Sequence, residues 1–277
     1  RILSEPSAVF GDWTANIIED ATIDDLDPDA IRMAREKYTE RHEIRAKEIE
    51  SWDDATFLNK AKITRAGKIT NAAIILLGRE ESEHFLSPAV CVIRWKLLAK
   101  EDKNKDFHNF HVPMIKSVEE ITTGYIRNNN YVYTVSGNIF PENMMRYDVF
   151  TLREPICNAI GHQDYGMGAR IELLEYEDEK LVIQNYGQFI PNSVEDVVEK
   201  DCPDSRYRNP FLMEAMCNIG MAETEGGGIR KLFVQQKKRF FPMPIYDLSG
   251  QKVRCEIQGK VLDENFAKIL VNNPDLS

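Results

Sequence analysis

The sequence predicts an α+β fold in which a mixed β-sheet lies under helices. Two neighbouring amphipathic strands predict the sheet: residues 169–176 alternate apolar and charged side chains, and residues 181–185 follow after a short charged turn. Helices with one apolar side are predicted to start near Thr151, Pro210 and Ile229, and such a side has to be buried against another element. Together these elements predict an α/β sandwich in the C-terminal half, preceded by a smaller α+β region.

The composition limits the classes of function. The chain has 277 residues, of which 43% are hydrophobic and 29% charged, which is typical of a globular protein. The formal net charge of −10 argues against general binding to a phosphate backbone, so we expect any DNA contact in a local patch or outside this chain.

The five cysteines contain no Cys-x-x-Cys pair, which indicates a reducing cytoplasm rather than disulfides or a zinc site. No apolar run reaches the length of a membrane span, and because the chain begins at Arg1 we expect it to be a fragment.

The N-terminal region, residues 1–140, is predicted to contain both helices and strands. Residues 8–23 alternate loosely and predict either a strand or a docking arm. Asp27 as N-cap and Pro28 at the first helical position predict the start of a helix. Further helices are predicted at 53–63 and 69–77, and strands at 89–98 and 107–112. A soft boundary at 136–148 separates this region from residues 141–277.

The C-terminal region opens with a helix that carries Glu154 and Asn158. Thr151 is its predicted N-cap, which would place Pro155 in the first turn, where proline is tolerated. Glu154 and Asn158 are four residues apart and therefore lie on one face of the helix. A carboxylate and a carboxamide so placed suit a shared Mg²⁺ and its water, whereas the alternative is an ordinary polar stripe on an amphipathic helix.

Three further sets of residues can be considered as candidates for a site. Gly226–Gly228 open a helix, and such a turn offers unpaired N–H groups and close backbone approach to a phosphate, although it can also be an ordinary loop. It is not a P-loop, because the chain contains no Gly-Lys-Ser or Gly-Lys-Thr. Arg206 and Arg208 precede it as candidate phosphate clamps or as solvated loop charges. His162 and Asp164 could form a metal or acid–base pair, but without a third ligand we interpret them as structural groups at a helix end.

The order of these pieces resembles that of the GHKL ATPases: a helix with Glu-x-x-x-Asn, a strand ending in Asn-x-Gly, and a glycine turn that opens a helix. The detail is most similar to the RecG-like C-terminal domain of bacterial ATP-binding proteins that carry a Schlafen-type, Alba-like N-terminal domain. The residues that carry this resemblance are Leu152-Arg153-Glu154, Asn158-Ala159, His162, Asp164-Tyr165, Asn185-Tyr186-Gly187, Pro191, Arg208-Asn209-Pro210, Asn218-Ile219-Gly220 and Gly226-x-Gly228-Ile229. Residues 67–78 also resemble the segment that precedes this domain, so the likeness covers roughly residues 55–260.

The resemblance implies a role for each matching residue. Glu154 would be the water-activating carboxylate and Asn158 the ligand of Mg²⁺. Asn185 stands where GHKL ATPases usually carry an Asp that accepts a hydrogen bond from the adenine amino group, and an Asn carbonyl can accept that bond too. The residues implied to bind ATP are Asn158, Asn185, Gly187, Arg208, Gly226, Gly227 and Gly228.

These implications lead to two hypotheses of different kinds. In the first, the chain is an ATP-binding module, with slow hydrolysis left open, of a cytoplasmic bacterial transcriptional regulator or DNA-associated protein; its cofactors are ATP and Mg²⁺. In the second, it is a degenerate, non-catalytic scaffold or dimerisation domain of a DNA-binding regulator. In both hypotheses we expect DNA to be bound by a region outside this chain and expect no membrane association. Whether the chain forms a homodimer is left open. A helicase is rejected because the chain has no helicase motifs.

Overall fold

The structure is a computed structural model that describes residues 11–99, 103–128, 130–133, 142–191, 193–199, 207–222, 227–239 and 241–261. The α-helices within those ranges are α1 (Pro28–Arg41), α2 (Ala46–Glu50), α3 (Asp54–Lys60), α4 (Asn71–Leu77), α5 (Met114–Glu120), α6 (Val149–His162), α7 (Val194–Glu199), α8 (Pro210–Asn218) and α9 (Gly228–Lys238). The strands are β1 (Ile93–Leu98), β2 (Asn104–Phe110), β3 (Asn130–Tyr133), β4 (Glu142–Met145), β5 (Ile171–Tyr176), β6 (Lys180–Tyr186), β7 (Ile245–Asp247) and β8 (Lys252–Gln258).

Six strands of the described chain form one mixed sheet in the order β2-β1-β5-β6-β8-β7. β1 and β5 run parallel, and every other neighbouring pair in this sheet is antiparallel. The strands predicted at 169–176 and 181–185 are β5 and β6, which are antiparallel neighbours with Glu175 opposite Leu181. The predicted α+β fold with a mixed sheet and helices is therefore confirmed, and helices start close to each of the three predicted points.

One face of the sheet is buried because alternate residues of its central strands are apolar. In the parallel pair, Ile93 lies beside Ile171 and Trp95 beside Leu173, and all four side chains are buried. Glu175 continues the same row of β5 and is also buried. A buried carboxylate needs a hydrogen-bond partner, and the indole N–H of Trp95 donates to Glu175 Oε2 at 2.9 Å.

The sheet takes strands from both sides of the predicted division between residues 1–140 and 141–277. β1 and β2 precede that division, and β5 to β8 follow it. Buried residues from both regions also belong to one hydrophobic cluster. All seven residues of α4 are buried, six of them in this cluster, and α4 packs against α1, α5 and α8.

The start of α6 differs from the predicted one. The N-cap is Asp148, whose carboxylate accepts hydrogen bonds from the backbone N–H of Thr151 at 2.8 Å and from its hydroxyl at 2.6 Å. The prediction of Thr151 as N-cap is wrong, because an equally good capping side chain lies three residues earlier. Pro155 consequently lies inside the helix rather than in its first turn, so the carbonyl of Thr151 cannot receive the usual bond from residue 155.

The stretch predicted as a strand or a docking arm docks against α8. Residues 8–10 lie outside the described ranges, and residues 13–15 form a short 3₁₀ helix. The carboxylate of Asp12 accepts a hydrogen bond from the N–H of Phe211 at 2.6 Å, and the hydroxyl of Thr14 accepts one from the N–H of Leu212 at 3.2 Å. Both N–H groups belong to the first turn of α8, where a helix offers them no internal partner. The arm therefore caps a helix that lies about two hundred residues away in sequence.

Candidate functional site

A cavity of about 110 Å³ lies between α6, the start of α9 and one end of the β6–β8 pair. Its floor is made by two facing pairs of residues, Ile183 with Cys255 and Asn185 with Val253. All four line the cavity because residues two apart in a strand share one face of the sheet. Helix α6 and the loop 188–191 supply most of the remaining lining, and single residues of α7, α8 and β7, together with the start of α9, also contribute to it.

Helix α6 presents three polar side chains to the cavity, one from each successive turn. Glu154, Asn158 and His162 are spaced four residues apart, and all three line it. At a rise of 1.5 Å per residue, Glu154 and His162 are separated by about 12 Å along the helix. The predicted pairing of Glu154 with Asn158 on one face is therefore present. His162 was interpreted only as a helix-end group, although the same four-residue spacing could have placed it with the other two.

Hydrogen bonds fix the C-terminal end of α6 to the end of β6. The N–H of Tyr186 donates to Gln163 Oε1, and the N–H of Asp164 donates back to the Tyr186 carbonyl, both at 2.8 Å. Asn209, which is buried, donates through Nδ2 to the carbonyls of Gly161 at 3.0 Å and Gln163 at 2.9 Å. These bonds hold the last turn of α6 beside the strand that carries Asn185.

We call Glu154, Asn158 and Gly228 the carboxylate end of the cavity. Glu154 is only 2% exposed, and its Oε1 accepts a hydrogen bond from Asn158 Nδ2 at 3.1 Å. Gly228 is the first residue of α9, and a Cβ atom at this position would overlap Glu154 Oε1. The carboxylate is therefore packed directly against the N-terminus of a helix, where partial positive charge favours an anion.

We call His162, Tyr207 and Asn185 the aromatic end of the cavity. The rings of His162 and Tyr207 are stacked, with centroids 5.9 Å apart. Burial, with a smaller contribution from the positive charge of Arg208, lowers the pKa of His162 to about 4, so the imidazole is neutral near pH 7. Asn185 is 6% exposed, and its Nδ2 lies 3.3 Å from the carbonyl of Tyr186. This end thus combines the rings of His162 and Tyr207 with two uncharged polar groups, the His162 imidazole and the Asn185 carboxamide.

Arg208 and Gly187 do not line the cavity. The Arg208 guanidinium pairs with Asp164 Oδ2 at 3.1 Å and donates to the carbonyl of Gln188 at 3.1 Å. It also covers Gly187, whose φ of +118° favours glycine and where a Cβ would come within 2.9 Å of Arg208 Nε. Arg208 therefore fastens the loop after β6 to the end of α6, and its role as a phosphate clamp stays a prediction.

The glycine turn is described only in part. Gly226 lies outside the described residues, Gly227 is the N-cap of α9, and Gly228 lines the cavity. The structure thus brings together the predicted catalytic residue Glu154 and three of the residues predicted to bind nucleotide, Asn158, Asn185 and Gly228. Among the described residues there is no group of three or more His, Cys, Asp or Glu side chains that could hold a metal ion. Glu154 and Asn158 can offer oxygen atoms, which suits a Mg²⁺ ion that takes its remaining ligands from water and phosphate.

Two family models match separate parts of the chain. Residues 168–257 match HATPase_c_4, described as "Putative ATP-dependent DNA helicase recG C-terminal". This match supports the predicted RecG-like C-terminal domain, and residues 168–257 are similar to a HATPase-type family. The match includes Asn185 and the glycine turn but begins after Glu154 and Asn158. Residues 1–93 match "Domain of unknown function (DUF8451)", which gives no support to the predicted Schlafen-type, Alba-like domain.

A solved structure shares the fold. The DIP2311 protein from Corynebacterium diphtheriae superposes with a TM-score of 0.70 at 17% sequence identity, over 90% of this chain and 48% of that protein. The chain therefore spans about half the length of this structural neighbour. No curated protein sequence matches the chain. No helix in the described ranges is both long enough and apolar enough to cross a membrane.

Proposed function

We propose that the chain binds ATP with Mg²⁺ in the cavity between α6, α9 and the β6–β8 pair. The observation that carries this proposal is that Glu154, Asn158 and Gly228 meet in a cavity that Asn185 also lines, next to Tyr186, whose backbone is bonded to the C-terminal end of α6. The cavity belongs to a chain whose residues 168–257 match a HATPase-type family. Its volume of about 110 Å³ is close to that of an engineered void of about 150 Å³ that takes up benzene. This volume suits the base, and the sugar and phosphates would extend towards the glycine turn.

The carboxylate end is suited to the triphosphate. The start of α9 offers backbone N–H groups and partial positive charge to a phosphate, and Gly227 and Gly228 allow close approach. Glu154 already lies at this helix start, so a phosphate there would meet a carboxylate. Asn158 Oδ1 is the side-chain oxygen that would hold Mg²⁺, and the ion would supply positive charge to offset this repulsion. Glu154, held by Asn158 at 3.1 Å, would then orient and deprotonate the attacking water.

The wider role that we propose is regulatory. The chain would serve as the nucleotide-binding module of a cytoplasmic bacterial transcriptional regulator or DNA-associated protein, as a monomer or a homodimer. The net charge of −10 favours DNA contacts in a region outside this chain, since an acidic surface repels the phosphate backbone. We do not propose a helicase, because the sequence lacks helicase motifs.

Thermal unfolding of the 277-residue chain tests nucleotide binding directly. At one hundred times the dissociation constant, Mg-ATP would add about 2.7 kcal/mol to the free energy of unfolding. For a chain of this size the expected rise in Tm is about 5–10 °C. Asn158→Ala should reduce that rise, because it removes an oxygen ligand of the metal. A Tm that does not respond to Mg-ATP or Mg-ADP would refute nucleotide binding and favour the non-catalytic scaffold.

A further inference from the structure

The polar groups of the cavity are divided between its two ends, and this division orients a bound nucleotide. The carboxylate end includes the start of α9, which suits phosphates, and lies about 12 Å along α6 from the aromatic end. The cavity lining also includes Ile183 of the floor and Phe189 of the loop 188–191. A planar base therefore fits best against these apolar side chains, with its polar edge towards Asn185.

The polar groups at the aromatic end can act both as donors and as acceptors. The carboxamide of Asn185 has an N–H₂ donor and a carbonyl acceptor, and a half-turn of the side chain exchanges them. Its one described hydrogen bond, to the carbonyl of Tyr186, is long at 3.3 Å, so it resists such a turn weakly. His162 is neutral near pH 7, so its ring carries one donor nitrogen and one acceptor nitrogen.

The two purines differ in what they present to such a group. At position 6, adenine carries an amino donor, whereas guanine carries an oxo acceptor. Guanine also has N1–H and 2-amino donors, so the comparison applies to bases that both direct position 6 towards Asn185. A buried site rejects an analogue strongly only when the analogue leaves one of its polar groups unpaired. A carboxamide can pair with either purine and therefore rejects neither.

We infer that the site accepts purine nucleoside triphosphates with either a 6-amino or a 6-oxo group, and that Asn185 determines this breadth. The inference rests on the proposed nucleotide-binding function and names the substrate class of the same cavity. It makes Asn185→Asp the decisive substitution, because a carboxylate only accepts hydrogen bonds. The Asp variant should keep its pairing with adenine and oppose the carbonyl of guanine.

Isothermal titration of the 277-residue chain with Mg-ATP, Mg-GTP and Mg-tripolyphosphate tests this inference. We expect the dissociation constants for ATP and GTP to agree within about tenfold, and tripolyphosphate to bind more weakly than either. Asn185→Asp should shift the ratio towards ATP by about tenfold or more, since an unpaired buried acceptor costs 1–3 kcal/mol. Asn104→Asp introduces the same charge on the exposed edge strand β2 and should leave the ratio unchanged.

Asn185→Ala provides a second measurement if the buried Asp prevents folding. It removes the carboxamide without adding charge and should weaken ATP and GTP by similar factors. The inference is overturned if the unmodified chain prefers ATP by about a hundredfold or more, or if tripolyphosphate binds as tightly as ATP. It is also overturned if Asn185→Asp leaves the ratio unchanged or shifts it towards GTP through the N1–H and 2-amino donors of guanine. Failure of the folded chain to bind any of the three probes would overturn the proposed function as well.

Discussion

Replacement of Gly228 by Ala tests whether Glu154 really packs against the start of α9. The added Cβ would overlap Glu154 Oε1, so the carboxylate would have to leave its place and its hydrogen bond from Asn158. Overpacking of this kind costs about 1–3 kcal/mol, offset by at most about 1 kcal/mol from the better helix propensity of Ala. With the full offset, the net loss of up to about 2 kcal/mol should lower Tm by up to about 8 °C.

The neighbouring glycine is the matched control. A Cβ at Gly227 meets nothing within 4 Å, so Gly227→Ala should lower Tm only by the small cost of a poorer N-cap. Glu154→Ala removes the obstructing side chain, so in the Gly228→Ala background it should restore part of the lost stability, with a coupling energy of about 0.5–3 kcal/mol. Differential scanning calorimetry on the four proteins and the double variant measures these terms. Equal Tm values for Gly227→Ala and Gly228→Ala, or strictly additive effects in the double variant, would refute the packing.

Three further predictions concern turnover, capping and pH. Glu154→Gln should abolish any release of phosphate from Mg-ATP while leaving binding largely intact, whereas Asn158→Ala should weaken binding; equal loss of binding in both would remove Glu154 from the role of general base. Asp12→Ala should lower the free energy of unfolding in urea by about 0.5–2 kcal/mol, because α8 loses a cap. Asp20→Ala, at an exposed position, is the control and should leave this free energy nearly unchanged. Because the pKa of His162 is lower in the folded chain than in the unfolded one, the unfolded state binds more protons between about pH 4 and 6.5, and stability falls as the pH drops through that range. His162→Gln should flatten that decline, and an unchanged pH profile of Tm would show that this ring is not buried as a neutral group.

Local patterns predicted the elements, but they could not predict how distant elements meet. The alternation in residues 169–176 and 181–185 is enough to identify β5 and β6, since a short turn leaves them few alternatives to pairing. The parallel pairing of β1 with β5 joins residues about eighty positions apart, and no local signal encodes it. The cap of α6 was misplaced because Asp148 and Thr151 are both good capping residues, and only three-dimensional contacts decide between them.

The same limit applies to the candidate site: local spacing predicted part of it, but contacts between distant segments could not be predicted. Helical spacing alone puts Glu154 and Asn158 on one face, and both line the cavity. Arg208 looked like a phosphate clamp because it is a cation near the glycine turn, but Asp164, 44 residues earlier in the chain, pairs with it. The contact of Glu154 with Gly228 could not be predicted from the sequence either, because it depends on how α6 and α9 pack against each other.

The contact between Asp12, Thr14 and the start of α8 also bears on where a stable fragment can be cut. The span that matches the HATPase-type family, residues 168–257, excludes this arm, helix α6 and strand β1, which pairs with β5. A fragment made to that span would leave the first N–H groups of α8 without their caps and one side of β5 open to pairing with other chains. A relative that retained this domain without the preceding region would need another cap for α8 and another strand or cover for β5. The boundaries that sequence families share and the boundaries at which this chain can be cut are therefore different.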